Sequence, residues 1–249
     1  AMGRRGSDVA REVSDVVLMD DNFATIIAAI EEGRNIYENI QKFIRFFFST
    51  DLALILLMSG GLGLAFLLGL KDPAGGTFLL PLTAVQLLWI NFVADGPPAL
   101  AMALDRNPGV MERPARPARA RLLDAASLRF LVVSAAAKAS VGLAIIAALP
   151  QLGHSLEETR TTLFVYESAL QLVFAYPSRR IGARAVANVW VHLAVWLGVA
   201  LQILTILIAP LRALLGLVPL GAGTLVAVML AALLTWALAE LTCRWTIEA

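Results

Sequence analysis

Long apolar runs alternate with short polar stretches along this chain of 249 residues. A helix needs about 20 mostly apolar residues to cross a bilayer. Six runs answer to that description: 43–70, 78–104, 128–149, 161–176, 189–211 and 217–241. The fourth is short, and its helix can begin a few residues earlier. Short connections between runs predict antiparallel neighbours, and so an all-α membrane protein built on a six-helix transmembrane bundle. Before the first run the pattern changes. Val16, Val17 and Leu18, within 15–19, read as a short strand closed by the turn-forming Asp20, Asp21 and Asn22. Asp21 or Asn22 can cap the helix that follows, where Ile26, Ile27, Ile30, Ile36 and Tyr37 recur at roughly helical spacing. Only Gly33 interrupts it, so a stalk helix over 23–42 is expected to run directly into the first span. Residues 1–22 are too few for an independent domain and read as the edge of something larger. The chain therefore divides into a head (1–22), the stalk (23–42), a transmembrane part (43–242) with a loop at 105–127, and a tail (243–249).

Composition sharpens this picture. Hydrophobic residues make up 59% of the chain and charged residues 16%, with a mean hydropathy of +0.76, where a soluble domain carries about 25% charged residues. That excludes an ordinary soluble enzyme and a disordered chain. A net charge of +1 leaves no electrostatic footprint for nucleic acid. One cysteine, Cys243, and two distant histidines, His154 and His192, exclude an internal disulfide framework and a zinc site. The first apolar run follows an acidic segment far from the N-terminus, so no signal peptide pattern is present.

Lys and Arg in the loops set orientation. Sixteen of them fall on one side, including Arg34, Lys42, Arg45, Arg106, Arg113, Arg116, Arg119, Arg179, Arg184 and Arg244. Lys71, Arg160 and Arg212 are the three on the other side. Both termini are expected in the cytoplasm. The excess of arginine over lysine points to a GC-rich bacterial genome, and so to a bacterial inner membrane.

Ionisable residues inside a membrane are costly and mark function by default. Asp51 lies about three turns into the first run, with Phe43, Ile44, Phe46, Phe47 and Phe48 on its cytoplasmic side. In WINFVADGPP, Asn91 and Asp95 stand at i, i+4 on one helical face. Pro97 and Pro98 have no N–H to offer four residues back, which frees the carbonyls of Val93 and Ala94. A broken helix with free carbonyls beside a carboxylate is how membrane proteins build a small-cation site. Asp51, Asp95, Asn91 and those carbonyls form a hard-oxygen set suited to Ca²⁺ or Mn²⁺. The plainer alternatives are a boundary that leaves Asp51 among headgroups and a proline kink with Asp95 satisfied by a neighbouring helix. Glu167 in the fourth run and Lys138 in the third lie at depths differing by about 6 Å, so an ion pair between them is expected, with direct cation ligation by Glu167 the alternative. Ser134, Ser140, Gln171, Gln202 and Thr235 are expected to bond between helices.

These residues are similar to a known pattern. The stretch AMGRRGSDVAREVSDVVLMDDNFATIIAAIEEGRNIYENIQKFIRF, followed by VQLLWINFVADGPPALAMALD and VMERPAR, closely resembles the C-terminal part of a P-type cation-transporting ATPase, most of all the calcium/manganese pump branch. The likeness is strong over 1–116; afterwards topology and Glu167 carry it. It implies that 1–22 is the C-terminal remnant of the phosphorylation domain, that the six spans are the fifth to tenth transmembrane helices, and that loop 105–127 contacts the phosphorylation domain. Asp51 falls where these pumps often carry an asparagine ligand. Asn91 and Asp95 fall on the ligand pair of the sixth helix, and Glu167 on the eighth-helix carboxylate of two-site calcium pumps. Leu54 stands where those pumps have a glutamate and Ala94 where they have a threonine, which resembles the single-site calcium/manganese pumps.

The family's Asp-Lys-Thr-Gly phosphorylation motif, its nucleotide-binding domain, its actuator loop with Thr-Gly-Glu, its Mg²⁺-binding segment and its first four transmembrane helices have no counterpart in the sequence. The expectation is an ion-binding membrane part that is inactive as an ATPase by itself. ATP and Mg²⁺ would act in the complete pump, with the remaining domains and the lipid bilayer as partners. Two other readings stay open: a stand-alone six-span channel-like or regulatory protein derived from a pump, and a proton or monovalent cation pump fragment, which Asp51 with Asp95 would allow. Ala1 is not an initiator and Met2 falls in mid-motif, so a fragment or separately encoded half is expected over a natural short protein.

Overall fold

A computed structural model of the chain describes residues 1–71, 76–114, 117, 121–180 and 187–248, the last five by backbone alone. Arg116, Arg119, Arg184 and the side chain of Arg244, counted above for orientation, lie outside the described residues.

The head is a small knot of backbone bonds. Ser7 caps the short helix α1 (Asp8–Glu12) by accepting from the Ala10 N–H. Leu18 forms an isolated parallel bridge with Met2, and no strand forms over 15–19 among the described residues. The expected strand fails because it meets a single bridge partner rather than a sheet edge. Asp21 adopts φ 55°, and its carboxylate accepts the N–H groups of Arg4 and Arg5, both at 2.9 Å.

From Asn22, whose side chain accepts the Ala24 N–H, a single helix α2 runs over Phe23–Leu67. Its 45 residues span about 68 Å, more than twice a hydrocarbon core of about 30 Å. The helix stops at Gly69 (φ 67°), where the Leu70 N–H returns to the Ala65 carbonyl. This is the left-handed C-terminal turn that glycine permits.

The second expected span, 78–104, is not one regular helix. Thr83 and Gln86 form a capping box that starts α3 (Ala84–Trp89), a π-helical segment covers Ile90–Asp95, and α4 (Gly96–Met102) completes it. Then follow α5 (Ala125–Ala148), a 3-10 turn at Pro150–Leu152, and α6 (Leu156–Ser178), again opened by a capping box, Ser155 with Glu158. The fifth expected span divides into α7 (Val189–Leu207) and α8 (Ala209–Leu215), and α9 (Ala222–Glu248) ends the described chain. The division falls at Ile208, which is extended just before Ala209 and Pro210, since proline cannot continue the preceding hydrogen-bond ladder.

Among the described residues four helices are long and apolar enough to cross a membrane: Phe23–Leu67, Ala125–Leu152, Val189–Leu207 and Ala222–Cys243. The α6 helix is less apolar because it is the core. It packs against α2, α4, α5, α7, α9 and the π segment, and buries Thr161, Thr162, Glu167, Ser168 and Gln171. A helix surrounded by protein needs no lipid-compatible face. Of the polar residues expected to bridge helices, Thr235 meets the Tyr166 hydroxyl at 3.1 Å and Gln202 accepts from Trp89 at 3.3 Å. The Ser134 hydroxyl has no partner among the described residues.

Candidate functional site

The π segment exists because of its sequence. Pro97 and Pro98 cannot donate, so the ladder ahead of them loses two bonds in any register. The chain widens one turn instead of breaking: the Gly96 N–H bonds the Asn91 carbonyl, five residues back. The wide turn ends at Gly96, where the α-helical α4 begins. Pro97 and Pro98 stand four residues on from Val93 and Ala94 and bring no N–H to either carbonyl. The expected broken helix is thus a π-bulge, a device frequent at functional sites.

The bulge separates Asn91 from Asp95. Asp95 is fully buried, and neither carboxylate oxygen has a hydrogen-bond partner among the described residues. Asn91 is exposed and faces a crevice of about 360 Å³, lined also by Asp51, Leu54, Ile55, Met58 and Leu87. Asp51 is half-buried at the same crevice. Asp51 and Asn91 are therefore brought together at one crevice, and Asp95, buried in the helix packing, does not line it. Among the described residues no three His, Cys, Asp or Glu side chains converge closely enough to hold a metal ion.

An ion pair is expected between Lys138 and Glu167, and among the described residues no hydrogen bond joins them. Both residues are fully buried. Lys138 Nζ donates to Gln171 Oε1 at 3.2 Å and stands 4.3 Å from the centre of the Phe174 ring. Neither oxygen of Glu167 has a partner among the described residues. Depth alone put the two within reach, but Gln171 and Phe174, one and two turns further along α6, take the ammonium instead. Gln171 and Phe174 stand at i+4 and i+7 from Glu167 on one helical face, but spacing along α6 does not report which of the three meets Lys138.

A second polar cluster lies at the end of the bundle where the stalk half of α2 meets the loop after α4. Asp105 accepts from Lys42 (2.9 Å), from Arg179 through two nitrogens (2.8 and 2.7 Å) and from Asn188 (2.6 Å). Burial pushes the Asp105 carboxyl up, and the bonds from Arg179, Asn188 and Lys42 outweigh it, leaving it below the ordinary carboxylate value. Burial likewise holds the Lys42 ammonium below the ordinary lysine value, with Asp105 opposing. Along the same helix Arg34 donates to the Val110 and Arg113 carbonyls and Asn39 to those of Ala103 and Asp105. Sequence reading missed this cluster because Asp105 lies 63, 74 and 83 residues along the chain from Lys42, Arg179 and Asn188.

The arrangement is a membrane helix bundle whose buried carboxylates Asp95, on a π-bulge, and Glu167 have no hydrogen-bond partner among the described residues. The family model described as "Cation transporting ATPase, C-terminus" matches residues 79–245. The chain belongs to this family. A calcium-transporting ATPase of Bacillus subtilis (strain 168) is 50% identical over 117 residues, which are 47% of this chain and 12% of that protein. Calcium-transporting ATPase 1 of Schizosaccharomyces pombe (strain 972 / ATCC 24843) is 36% identical over 165 residues, 66% of this chain and 17% of that protein. The human calcium-transporting ATPase type 2C member 1 is 45% identical over 105 residues, 42% of this chain and 10% of that protein. The chain thus spans less than a fifth of these relatives' length, and corresponds to the C-terminal part of a cation-transporting ATPase. In this ATPase region the matched segment begins just before the capping box of α3 and includes the whole π-bulge.

Proposed function

We propose that this ATPase region is the ion-binding and transport part of an ATP-driven P-type pump whose cargo is Ca²⁺ or Mn²⁺. The observation that carries the reading is Asp95: a carboxylate fully buried in the bundle, on a π-bulge, with both oxygens unpartnered among the described residues. A buried carboxylate of this kind costs several kcal/mol unless something pairs with it, and a transported cation is that partner. Asp51 and Asn91 at the crevice and the Val93 and Ala94 carbonyls would supply further hard oxygen donors, a chemistry that favours Ca²⁺ and Mn²⁺ over softer metals. The crevice on α2 and α3 opens to the outside of this chain, where the remaining transmembrane helices of a complete pump would close it. The stalk half of α2 would carry motion between phosphorylation domain and site, because the helix is unbroken from Phe23 to Leu67. The aspartyl-phosphate would form elsewhere in the complete pump, and the chain alone would not hydrolyse ATP.

The test is Asp95→Asn in the complete pump. The expected result is loss of Ca²⁺- and Mn²⁺-dependent phosphorylation from ATP, with phosphorylation backwards from inorganic phosphate retained. Wild-type metal dependence in this variant would sink the assignment.

A further inference from the structure

Lys138 sits in the middle of α5, fully buried, and the ion-site reading does not use it. Its ammonium is held by a neutral amide oxygen on Gln171 and by the face of Phe174. These contacts place the charge without neutralising it. The negative charge lies close by. The oxygens of Asp95 and Glu167 are buried and unpartnered among the described residues. Gly142, one turn along α5 from Lys138, brings that helix so near Glu167 that a Cβ there would stand 3.4 Å from Glu167 Oε1. Among the described residues Lys138 is also the one cation that acts electrostatically on all three intramembrane carboxylates, Glu167, Asp95 and Asp51.

Buried charges are normally paired or bound to an ion. Three carboxylates and one ammonium leave two negative charges, the complement of one divalent cation. We infer that Lys138 is a tethered counter-cation of the ion site: parked on Gln171 and Phe174, it sets the charge offered to the cargo at two negatives and so holds the site to a single divalent ion. The inference rests on the ion-site reading. It makes Lys138 a specificity-determining residue that stands beside the cargo rather than ligating it.

The sign of one effect separates this role from a structural one. A counter-cation repels the cargo, so removing its charge tightens divalent binding. A lysine that only supports Glu167 and the helix packing would, once removed, loosen the site and weaken binding.

The experiment uses the complete pump, with Ca²⁺ or Mn²⁺ alone as the probe. Ions bound per phosphorylatable pump are counted, and the half-saturating concentration for phosphorylation from ATP is measured. The wild type is expected to bind one ion. Lys138→Met is expected to lower the half-saturating concentration by about tenfold or more, whereas Lys138→Arg, which keeps the charge, stays within about threefold. Two ions bound by the wild type, or unchanged or weakened binding in Lys138→Met, overturns the inference. Should Lys138→Met fail to fold, Lys138→Gln removes the same charge, can still bond Gln171, and carries the same expectation. Asp95→Asn is run in parallel. If it keeps wild-type metal dependence, the ion-site reading itself fails; if it loses metal dependence while Lys138→Met does not tighten binding, the role of Lys138 alone fails.

Discussion

Asp105 holds two cations out of water at once. Lys42 has no exposed surface, and Arg179 is 4% exposed. Removing one partner of a buried charge pair typically costs about 3–5 kcal/mol, because the other charge stays buried and uncompensated. Asp105→Asn is therefore expected to destabilise the protein by about that amount, read as earlier thermal unfolding in detergent micelles. Its folded carboxyl value is depressed by Arg179, Asn188 and Lys42 against the pull of burial. The stabilisation it contributes is thus fully present above the unfolded carboxylate value and is lost as pH falls through the depressed folded value. Acid destabilisation in that window should shrink in Asp105→Asn; an identical acid limb in both proteins would refute the assignment. At this scale the intramembrane charges were legible in the sequence, since Asp51, Asp95, Lys138 and Glu167 interrupt apolar runs where each is expensive. Their partners were not. Whether Lys138 meets Glu167 or Gln171 depends on the rotation of α5 against α6, which no spacing along one helix reports.

The helices themselves are joined through small residues. A Cβ on Gly142 would come within 2.7 Å of Leu57 on α2 and 3.3 Å of Leu163 on α6, so three helices close on this one position. Gly142→Leu is expected to cost about 1–3 kcal/mol by overpacking, measured as a lower midpoint of thermal unfolding. Gly63→Leu is the control, because nothing lies within 4 Å of that position and glycine is a poor helix former there. Equal effects in both variants would show that the contact at Gly142 is not limiting. Element boundaries were legible wherever a local signal sets them, as at Asn22, Gly69 and the capping boxes of α3 and α6. The proline pair in 97–98 was legible as a disturbance but not as a π-bulge. A break and a widened turn relieve the same missing N–H groups, and the packing of α4 and the π segment against α6 and α7 accompanies the continuous solution.

For the whole molecule, the loop charges predict that the head and the end of α9 share one side of the membrane and that the 3-10 turn after α5 lies on the other. Val9 is 69% exposed, Leu152 is 74% exposed, and Cys243 is buried, which leaves a quiet background for thiol labelling. A membrane-impermeant maleimide is expected to label Leu152→Cys in intact cells and Val9→Cys only after permeabilisation. The reverse pattern would invert the topology. Large apolar side chains on α2, α3 and the π segment, among them Phe66, Leu67, Leu88 and Phe92, are exposed in this chain, on elements that also carry the Asp51 and Asn91 crevice.

Hydropathy determined by itself that this is a membrane helix bundle, and the cost of charge in an apolar run determined which residues invite a function. Both follow from local composition and need no knowledge of neighbours. Tertiary structure alone decided that α6 is the protein-surrounded core helix, that Asn91 and Asp95 face different environments, that Lys138 is parked on Gln171 and Phe174, and that Asp105 gathers Lys42, Arg179 and Asn188. Each of these is a contact between elements distant in sequence. The relative rotation and depth of packed helices set such contacts, and those are fixed only when every side chain in the bundle has found room.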